Sequence, residues 1–311
     1  MSRRGWLLFV TMGLIWGVPY LLIKVAVGGL SPASLVFART ALAALLLVPL
    51  AAFRGQLRPV VRRWPALLAF AVVEVAGPWL LLNSAERRLS SSLSGLLTAA
   101  VPLVGAVLGW ATGGERLGPR RQLGLLIGLL GVAALVGLDL HVDDTVALVE
   151  MLGVAVGYAL GPFLLARYLS DLPGLGVVAS AMAATAIGYA PVAAFQLPRH
   201  WPGDRVVASV VVLALLCTAT AFLLFFALIA EVGPVRATVI TYLNPAVAVT
   251  LGVLLLHERF TAGIAVGFVL VLVGSVLATR RSAPPDEGAA PAAGGPAQHD
   301  PAHLPEPSPA P

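Results

Sequence analysis

Long apolar runs separated by short polar breaks fill residues 1–281 of this 311-residue chain. Each run is about 20 residues long, which is the length of a helix that crosses the hydrocarbon core of a bilayer. A helix suits that environment because it satisfies its backbone hydrogen bonds internally. The breaks carry charges, prolines and turn residues. They predict about ten transmembrane helices, at residues 6–27, 31–51, 65–85, 92–111, 121–139, 147–166, 174–196, 206–230, 236–256 and 261–279.

Composition supports a membrane protein. Hydrophobic residues make up 59% of the chain and charged residues only 11%, whereas a soluble domain carries roughly a quarter charged residues. The single cysteine, Cys217, lies inside an apolar run, which excludes a disulfide framework. The histidines have no metal-ligand spacing, and no Gly-x-x-x-x-Gly-Lys motif for ATP is present. We therefore expect no metal and no cofactor.

Basic residues orient the predicted helices, because Lys and Arg are retained on the cytoplasmic side of a membrane. With the N-terminus inside, thirteen arginines fall in inner segments and five in outer segments, while Lys24 and Arg39 fall within helices. Both termini are therefore predicted to be cytoplasmic, in a multi-pass protein of the inner (plasma) membrane. The formal charge of +5 lies in short clusters between apolar runs, so no nucleic-acid partner is expected.

The chain contains a weak internal repeat. When the sequence is aligned with itself so that Pro102 pairs with Pro245, seven further identical pairs are aligned: Val104 and Val247, Leu108 and Leu251, Gly109 and Gly252, Glu115 and Glu258, Arg116 and Arg259, Gly124 and Gly267, and Gly131 and Gly274. Each half has five predicted helices, an odd number, so the second half must enter the membrane from the opposite side. The prediction is an all-α integral membrane fold with two inverted five-helix repeats.

Three regions follow from the repeat and the composition. The first repeat is assigned to residues 1–139 and the second, inverted repeat to residues 140–281. Residues 282–311 are rich in Pro and Ala. Such a segment cannot bury enough apolar surface to fold, so it is predicted to be a disordered cytoplasmic tail.

Several motifs resemble those of the drug/metabolite transporter superfamily, and specifically of its EamA-type members with ten spans. The resemblance rests on Ile15-Trp16-Gly17, on Arg39 and on two Pro-to-Glu-Arg modules, of which Asn244-Pro245 through Glu258-Arg259-Phe260 is the more complete. It covers nearly all of residues 6–280. The resemblance implies a central cavity between the halves, alternating access, and transport of amino acids or related small metabolites.

Two ionisable side chains within the predicted spans are candidates for substrate binding or ion coupling. Glu74 lies in the middle of the third span and Arg39 lies about nine residues into the second. An ionised group near the bilayer midplane is costly unless it is paired or hydrated, so such residues favour a functional hypothesis. Glu74 is a candidate proton site. A Glu74–Arg39 ion pair is expected, and it would serve either function or packing alone.

Aromatic and polar residues extend this candidate site. Trp16, Tyr20 and Lys24 are spaced i, i+4, i+8 and share one face of a helix. That face would offer aromatic surface and a cation to an anionic or zwitterionic solute, although the aromatics could equally pack and Lys24 could reach the headgroups. The second half contributes three further candidates: Tyr158, Tyr242 and Asn244.

These observations favour a secondary transporter that moves a small metabolite by alternating access, with proton-coupled export as a specific form. An integral-membrane enzyme acting on a lipid or lipid-linked substrate is one alternative, but no cluster of acids or histidines is evident at one membrane face. A passive channel is another, because some channels share inverted symmetry. The expected partners of a transporter are a small-molecule substrate, membrane lipids and protons. A homodimer is compatible with the sequence.

Overall fold

The computed structural model describes residues 1–111, 118–139, 145–196, 198–233 and 237–279. Over these ranges the chain is helical, with no strand. Ten apolar helices follow one another, with a short helix, Leu57–Val61, between the second and the third. They are α1 (Arg3–Ala26), α2 (Pro32–Phe53), α3 (Trp64–Ala85), α4 (Ser91–Ala111), α5 (Pro119–Asp139), α6 (Thr145–Leu169), α7 (Gly174–Phe195), α8 (Asp204–Val232), α9 (Asn244–Leu255) and α10 (Ala262–Thr279). The predicted all-α membrane fold is confirmed.

Seven of these helices, α1 to α4 and α6 to α8, are long and apolar enough to cross a membrane. The apolar helices Ile240–Leu255 and Ala262–Ala278 are shorter. The predicted tail, residues 282–311, lies outside the described residues. So does the first Glu-Arg pair, Glu115-Arg116.

Prolines make two helices differ from the predicted spans. Regular bonding in α1 is interrupted at Val18, because Pro19 has no amide hydrogen to donate into the preceding turn. The span predicted from residue 236 begins its regular helix only at Asn244, after a 3₁₀ turn over Thr238–Tyr242. Pro245 explains the late start, since proline suits the first turn of an α-helix and not its interior.

A close seam joins α5 to α10. Gly128 lies against Gly274, and Gly124 lies against Ala278. A methyl group on Gly124 would come 2.5 Å from the Ala278 amide nitrogen, so the backbones approach closely only because glycine is present. Residues later in α5 contact residues earlier in α10, so the two helices are antiparallel. Because these helices are equivalent in the two repeats, the repeats are inverted, as predicted.

The other helices pack in pairs that are related by the symmetry between the two repeats. α2 packs on α7 and α4 packs on α9, so each helix meets its own equivalent. α1 packs on α8, and α3 packs on α6. These two contacts are equivalent, because α1 corresponds to α6 and α3 corresponds to α8. This pattern is that of a pseudo-two-fold axis. Helices from both repeats therefore surround a common centre.

Candidate functional site

Arg39 joins three helices at this centre. Its side chain leaves α2 and is 7% exposed. The Nε atom donates a 2.9 Å hydrogen bond to the Thr218 hydroxyl of α8. The guanidinium carbon lies 3.6 Å from the centre of the Trp79 ring of α3, where the electrons of the ring attract a cation. Helices of both repeats therefore meet at one buried positive charge.

A π-helical turn in each repeat widens a helix beside this charge. The turns span Ala71–Ala76 in α3 and Leu215–Thr220 in α8. Because Ala71 is equivalent to Ala214, the two turns occupy nearly the same place in the repeat. Pro78 accounts for the turn in α3, since it cannot donate to the Glu74 carbonyl four residues earlier. α8 keeps the turn without a proline. Such turns break the regular hydrogen bonding and are frequent at functional sites.

Aromatic rings from both repeats lie around the same centre. Trp16 of α1 packs edge-on against Phe222 of α8, with ring centres 6.0 Å apart. In the equivalent helix pair, Tyr158 of α6 lies beside Trp79 of α3. Tyr20 is buried against α4. The predicted candidates Trp16, Tyr20 and Tyr158 are thus brought together, and their contact with a solute stays a prediction.

Glu74 points to a different side of α3. Its carboxyl group packs against Gly161 of α6, and its Oε2 atom is buried without a hydrogen-bond partner. The expected Arg39–Glu74 ion pair is not formed in the described part of the chain. The Trp79 ring contacts the Arg39 guanidinium, whereas the Glu74 carboxyl group contacts Gly161 of α6.

The two polar candidates near the start of α9 contact backbone atoms. The side-chain amide nitrogen of Asn244 is oriented to donate to the carbonyl oxygens of Gly13, at 3.2 Å, and of Ile240, at 3.0 Å. The Tyr242 hydroxyl lies 3.5 Å from the carbonyl oxygen of Ser275 in α10. Asn244 therefore ties α9 to α1. A role for either residue in solute binding stays a prediction.

Lys24 fastens the end of α1 to the connection between α3 and α4. Its ammonium group donates to the carbonyl oxygens of Glu86, at 2.7 Å, and of Leu89, at 2.6 Å. The Glu86 side chain is fully buried, and neither carboxylate oxygen has a hydrogen-bond partner. Burial raises the pKa of Glu86 well above its usual range, and Lys24 opposes that change. Sequence reasoning missed Glu86, because an acid that follows a helix directly resembles a solvated loop residue.

Glu258 fastens the second repeat to the same end of the molecule. Its carboxylate accepts hydrogen bonds from the backbone amides of Ser91, at 2.7 Å, and Ser92, at 3.0 Å, and from the Ser92 hydroxyl, at 2.5 Å. These amides are unpaired donors at the N-terminus of α4, where a negative charge is favoured. The second Pro-to-Glu-Arg module therefore ends in a helix cap that bridges the two repeats.

A cavity of about 400 Å³ opens at the opposite end of the molecule. Its wall comes from the ends of α2 and α8 and the start of α7: Arg54, Gln56, Pro173, Gly174, Leu175, Leu223, Phe226 and Ala227. The Phe226 ring packs against Phe222, which in turn contacts Trp16. The cavity therefore adjoins the aromatic side of the centre.

Three residues of the centre, Trp79, Thr218 and Phe222, were not found from the sequence. Phe222 is the repeat equivalent of Trp79, so an aromatic residue at the same place in both repeats was an available signal. Thr218 is equivalent to Val75 and gives no such signal. Only the packing of α8 beside α2 brings it to Arg39.

Both repeats match a known family. Residues 3–137 and residues 145–280 each match the EamA-like transporter family. The chain belongs to this family. It is therefore a multi-pass membrane transporter, and the resemblance noted in the sequence is confirmed.

Relatives of this EamA-family protein carry transporter names. An uncharacterized transporter of Bacillus subtilis, YvbV, is 23% identical over 287 residues, which are 90% of this chain and 93% of that protein. A probable terminal-alkyne amino-acid exporter of Streptantibioticus cattleyicolor is 26% identical over 287 residues, which are 91% of this chain and 95% of that protein. A protein of known crystal structure shares the fold, with a TM-score of 0.65 at 23% identity over 90% of this chain and 98% of its own.

Proposed function

We propose that this protein is a secondary transporter that carries a small metabolite, an amino acid or a related solute, across the inner membrane by alternating access. One observation carries the proposal: the buried charge of Arg39 and the aromatic rings around it lie where the two inverted repeats meet. Transporters built from inverted repeats hold their solute at that interface, and movement of one repeat against the other exposes the solute to each side in turn.

Interrupted helices beside the centre support such a movement. α1 is broken at Val18, and α3 and α8 carry π-helical turns at equivalent positions. A break removes regular backbone hydrogen bonds and gives the two halves of a helix freedom to bend relative to each other. The interruptions flank Trp16 and Arg39, so bending there would reshape the walls of the site.

The solute class and the direction of transport draw on a relative. The Streptantibioticus cattleyicolor protein is named a probable terminal-alkyne amino-acid exporter, and its similarity extends over 91% of this chain. A small site with aromatic walls and a few fixed polar groups suits a solute that has an apolar body and a polar end. Export of an amino acid or a related solute is consistent with both observations.

Glu74 is the proposed proton site. It is buried against α6 and has a carboxylate oxygen without a hydrogen-bond partner. The charged form of such an acid is costly while the site is shielded and much less costly when water reaches it. Gain and loss of a proton would then favour different conformations. Glu74→Gln should abolish transport driven by a pH gradient and retain some solute exchange. Retained pH-driven transport would rule out this role.

The membrane orientation is also part of the proposal. The charge distribution places the connection between α4 and α5 in the cytoplasm and the connection between α9 and α10 outside. Single cysteines at Gly118 and Ala262, in a Cys217→Ala background, should label from opposite sides of the inner membrane. Labelling of both from one side would contradict the orientation.

The assignment of residues 140–281 to the second repeat and of residues 282–311 to a tail belongs to the same proposal.

Counterflow in proteoliposomes tests the transport function. A carrier exchanges labelled solute outside for unlabelled solute inside, so label accumulates transiently. A passive channel gives equilibration without accumulation, and a membrane enzyme changes the solute chemically. We expect accumulation with at least one amino acid from a panel that includes terminal-alkyne amino acids. Equilibration alone, or a chemically altered solute, would refute the proposal.

A further inference from the structure

Arg39 leaves most of its hydrogen-bonding capacity unused. A guanidinium group carries five N–H donors, and here only Nε donates, to Thr218. Within the described ranges the two terminal nitrogens donate to no protein atom, and no acid forms an ion pair with them. The side chain is nevertheless 7% exposed. A buried charge that no acid contacts directly is costly, so an anion that enters the site gains a strong partner.

The fold does not require a charge at this position. Met182 is the repeat equivalent of Arg39 and occupies the corresponding place on α7. It is 1% exposed and lies in an apolar cluster with Val75 and Ala179. A buried ionic group can often be replaced by an apolar one of similar volume without loss of stability. The charge of Arg39 therefore indicates a ligand and not a packing requirement.

We infer that Arg39 binds a carboxylate of the transported solute, which makes monocarboxylates the substrate class. This inference rests on the proposed function. The terminal nitrogens of a guanidinium form a planar fork that matches the two oxygens of a carboxylate. Thr218 and Trp79 hold the fork in place. One cation balances one carboxylate, whereas a phosphate group carries more than one negative charge at neutral pH.

Among the described residues, no acid lies against the fork to pair with an amino group of the solute. Glu74 packs against Gly161. Glu86 interacts electrostatically with Arg39 but forms no ion pair with it, and it lies with Lys24 at the end of α3. The site consequently recognises the acid end of the solute. We expect a 2-oxo acid to bind as well as the amino acid with the same side chain. The amide and the decarboxylated amine should bind at least about thirtyfold more weakly, because they cannot form the charge pair.

Probes that share one skeleton test this inference. The first set is leucine, 4-methyl-2-oxopentanoate, leucinamide and 3-methylbutylamine. The second set is phenylalanine with its corresponding 2-oxo acid, amide and amine. Inorganic phosphate is tested as a further anion. Binding is measured as a ligand-induced shift in the melting temperature of the purified full chain, and exchange as counterflow. Binding by the acids and not by the amides or amines supports the inference. Equal binding by an amide or amine, binding by phosphate alone, or no binding by any acid overturns it. Binding of the acids without exchange supports the inference and overturns the proposed transport.

Two variants of Arg39 sharpen the test. Arg39→Met copies the residue of the other repeat and should melt no lower than the wild type without ligand. Its half-saturating concentration for the acids should rise at least about thirtyfold. Arg39→Lys keeps the charge without the fork, so it should bind the acids more weakly yet still prefer them to the amides. Arg62→Met, at an exposed arginine, is the matched control and should bind as the wild type does. Arg39→Met that binds the acids with wild-type affinity would overturn the inference. If Arg39→Met does not fold, the inference is tested by comparing the binding of the acids and of the amides to the wild-type protein.

Discussion

The seam between α5 and α10 and the centre around Arg39 use the internal repeat in opposite ways. At the seam, Gly124 and Gly131 recur at the equivalent positions of the second repeat as Gly267 and Gly274. Each of these glycines faces the other helix, so both repeats contribute the same backbone surface to one contact. A close approach of two helices leaves room only for the smallest residue, and this requirement is the same from either side.

At the centre the second repeat lacks the basic and acidic side chains of the first. The equivalents of Arg39 and Glu74 are Met182 and Cys217, which are both buried. The backbone geometry nevertheless recurs, since α3 and α8 carry π-helical turns at matching positions. The repeat thus preserves the geometry that packing demands and lets the chemistry of the solute site diverge.

Enlarging a seam glycine should have the largest effect on folding. Gly274→Leu would drive a side chain into the backbone of Gly128, which cannot move aside as a flexible side chain could. Overpacking commonly costs about 1–3 kcal/mol, and we expect the upper end or more here. Loss of folded protein is measured by size-exclusion chromatography and thermal melting in detergent. Gly188→Leu is the control, because no atom lies within 4 Å of a Cβ at that position. Equal melting temperatures of the two variants would contradict the role assigned to the seam.

Removing the cap between the repeats should have the next largest effect. Glu258→Ala leaves the amides of Ser91 and Ser92 without their acceptor and releases a tie between the two repeats. We expect a loss of about 2 kcal/mol, which combines a lost helix cap with unsatisfied donors. Thermal melting measures the change. Arg259→Ala, at the exposed neighbour, should melt close to the wild type. A larger loss in Arg259→Ala would show that the wrong member of the Glu-Arg pair is structural.

Loosening the orientation of Arg39 should affect transport more than stability. Thr218→Val keeps the shape of the side chain and removes the oxygen that accepts from the Arg39 Nε. The loss of one such bond is about 1 kcal/mol, so KM should rise roughly fivefold with little change in kcat. Initial rates of exchange measure both constants. Thr185→Val is the matched control in α7, because the buried Thr185 hydroxyl has no hydrogen-bond partner. A rise in KM in the control as large as in Thr218→Val would contradict the proposed orientation.

The smallest effect is expected at an exposed ion pair that also lacks a counterpart in the other repeat. Arg63 donates to both carboxylate oxygens of Asp171, over 2.7 and 2.8 Å. These hydrogen bonds hold the pKa of Asp171 below its usual range. The stabilisation is therefore present above the pKa of the unfolded chain and is lost as the pH falls through the lowered value.

Asp171→Asn should lower the melting temperature only slightly at neutral pH, because water screens an exposed pair. The difference from the wild type should disappear in acid. Melting curves over a pH series measure both. A large difference that persists in acid would show that the asymmetry at this surface is structural and not incidental.

Sequence alone was enough to predict the helices and their inversion. Lengths of apolar runs are set by the thickness of the bilayer, and an odd number of helices in each half forces the second to enter from the other side. Arg39 and Glu74 could also be singled out from the sequence, because a charge within an apolar run is rare enough to be noticed. These conclusions depend on spacing along the chain and on the solvent, which a single sequence records.

Tertiary packing was needed to establish which groups these charges meet. The direction of a side chain around its helix, and the helix that packs opposite, set Arg39 against Trp79 and Thr218 and turned Glu74 toward α6. The same packing buried Glu86 and brought Glu258 to the start of α4. Contacts between residues far apart in sequence depend on how helices pack and which faces they share, and hydrophobicity does not encode this, because nearly every face of a membrane helix is apolar.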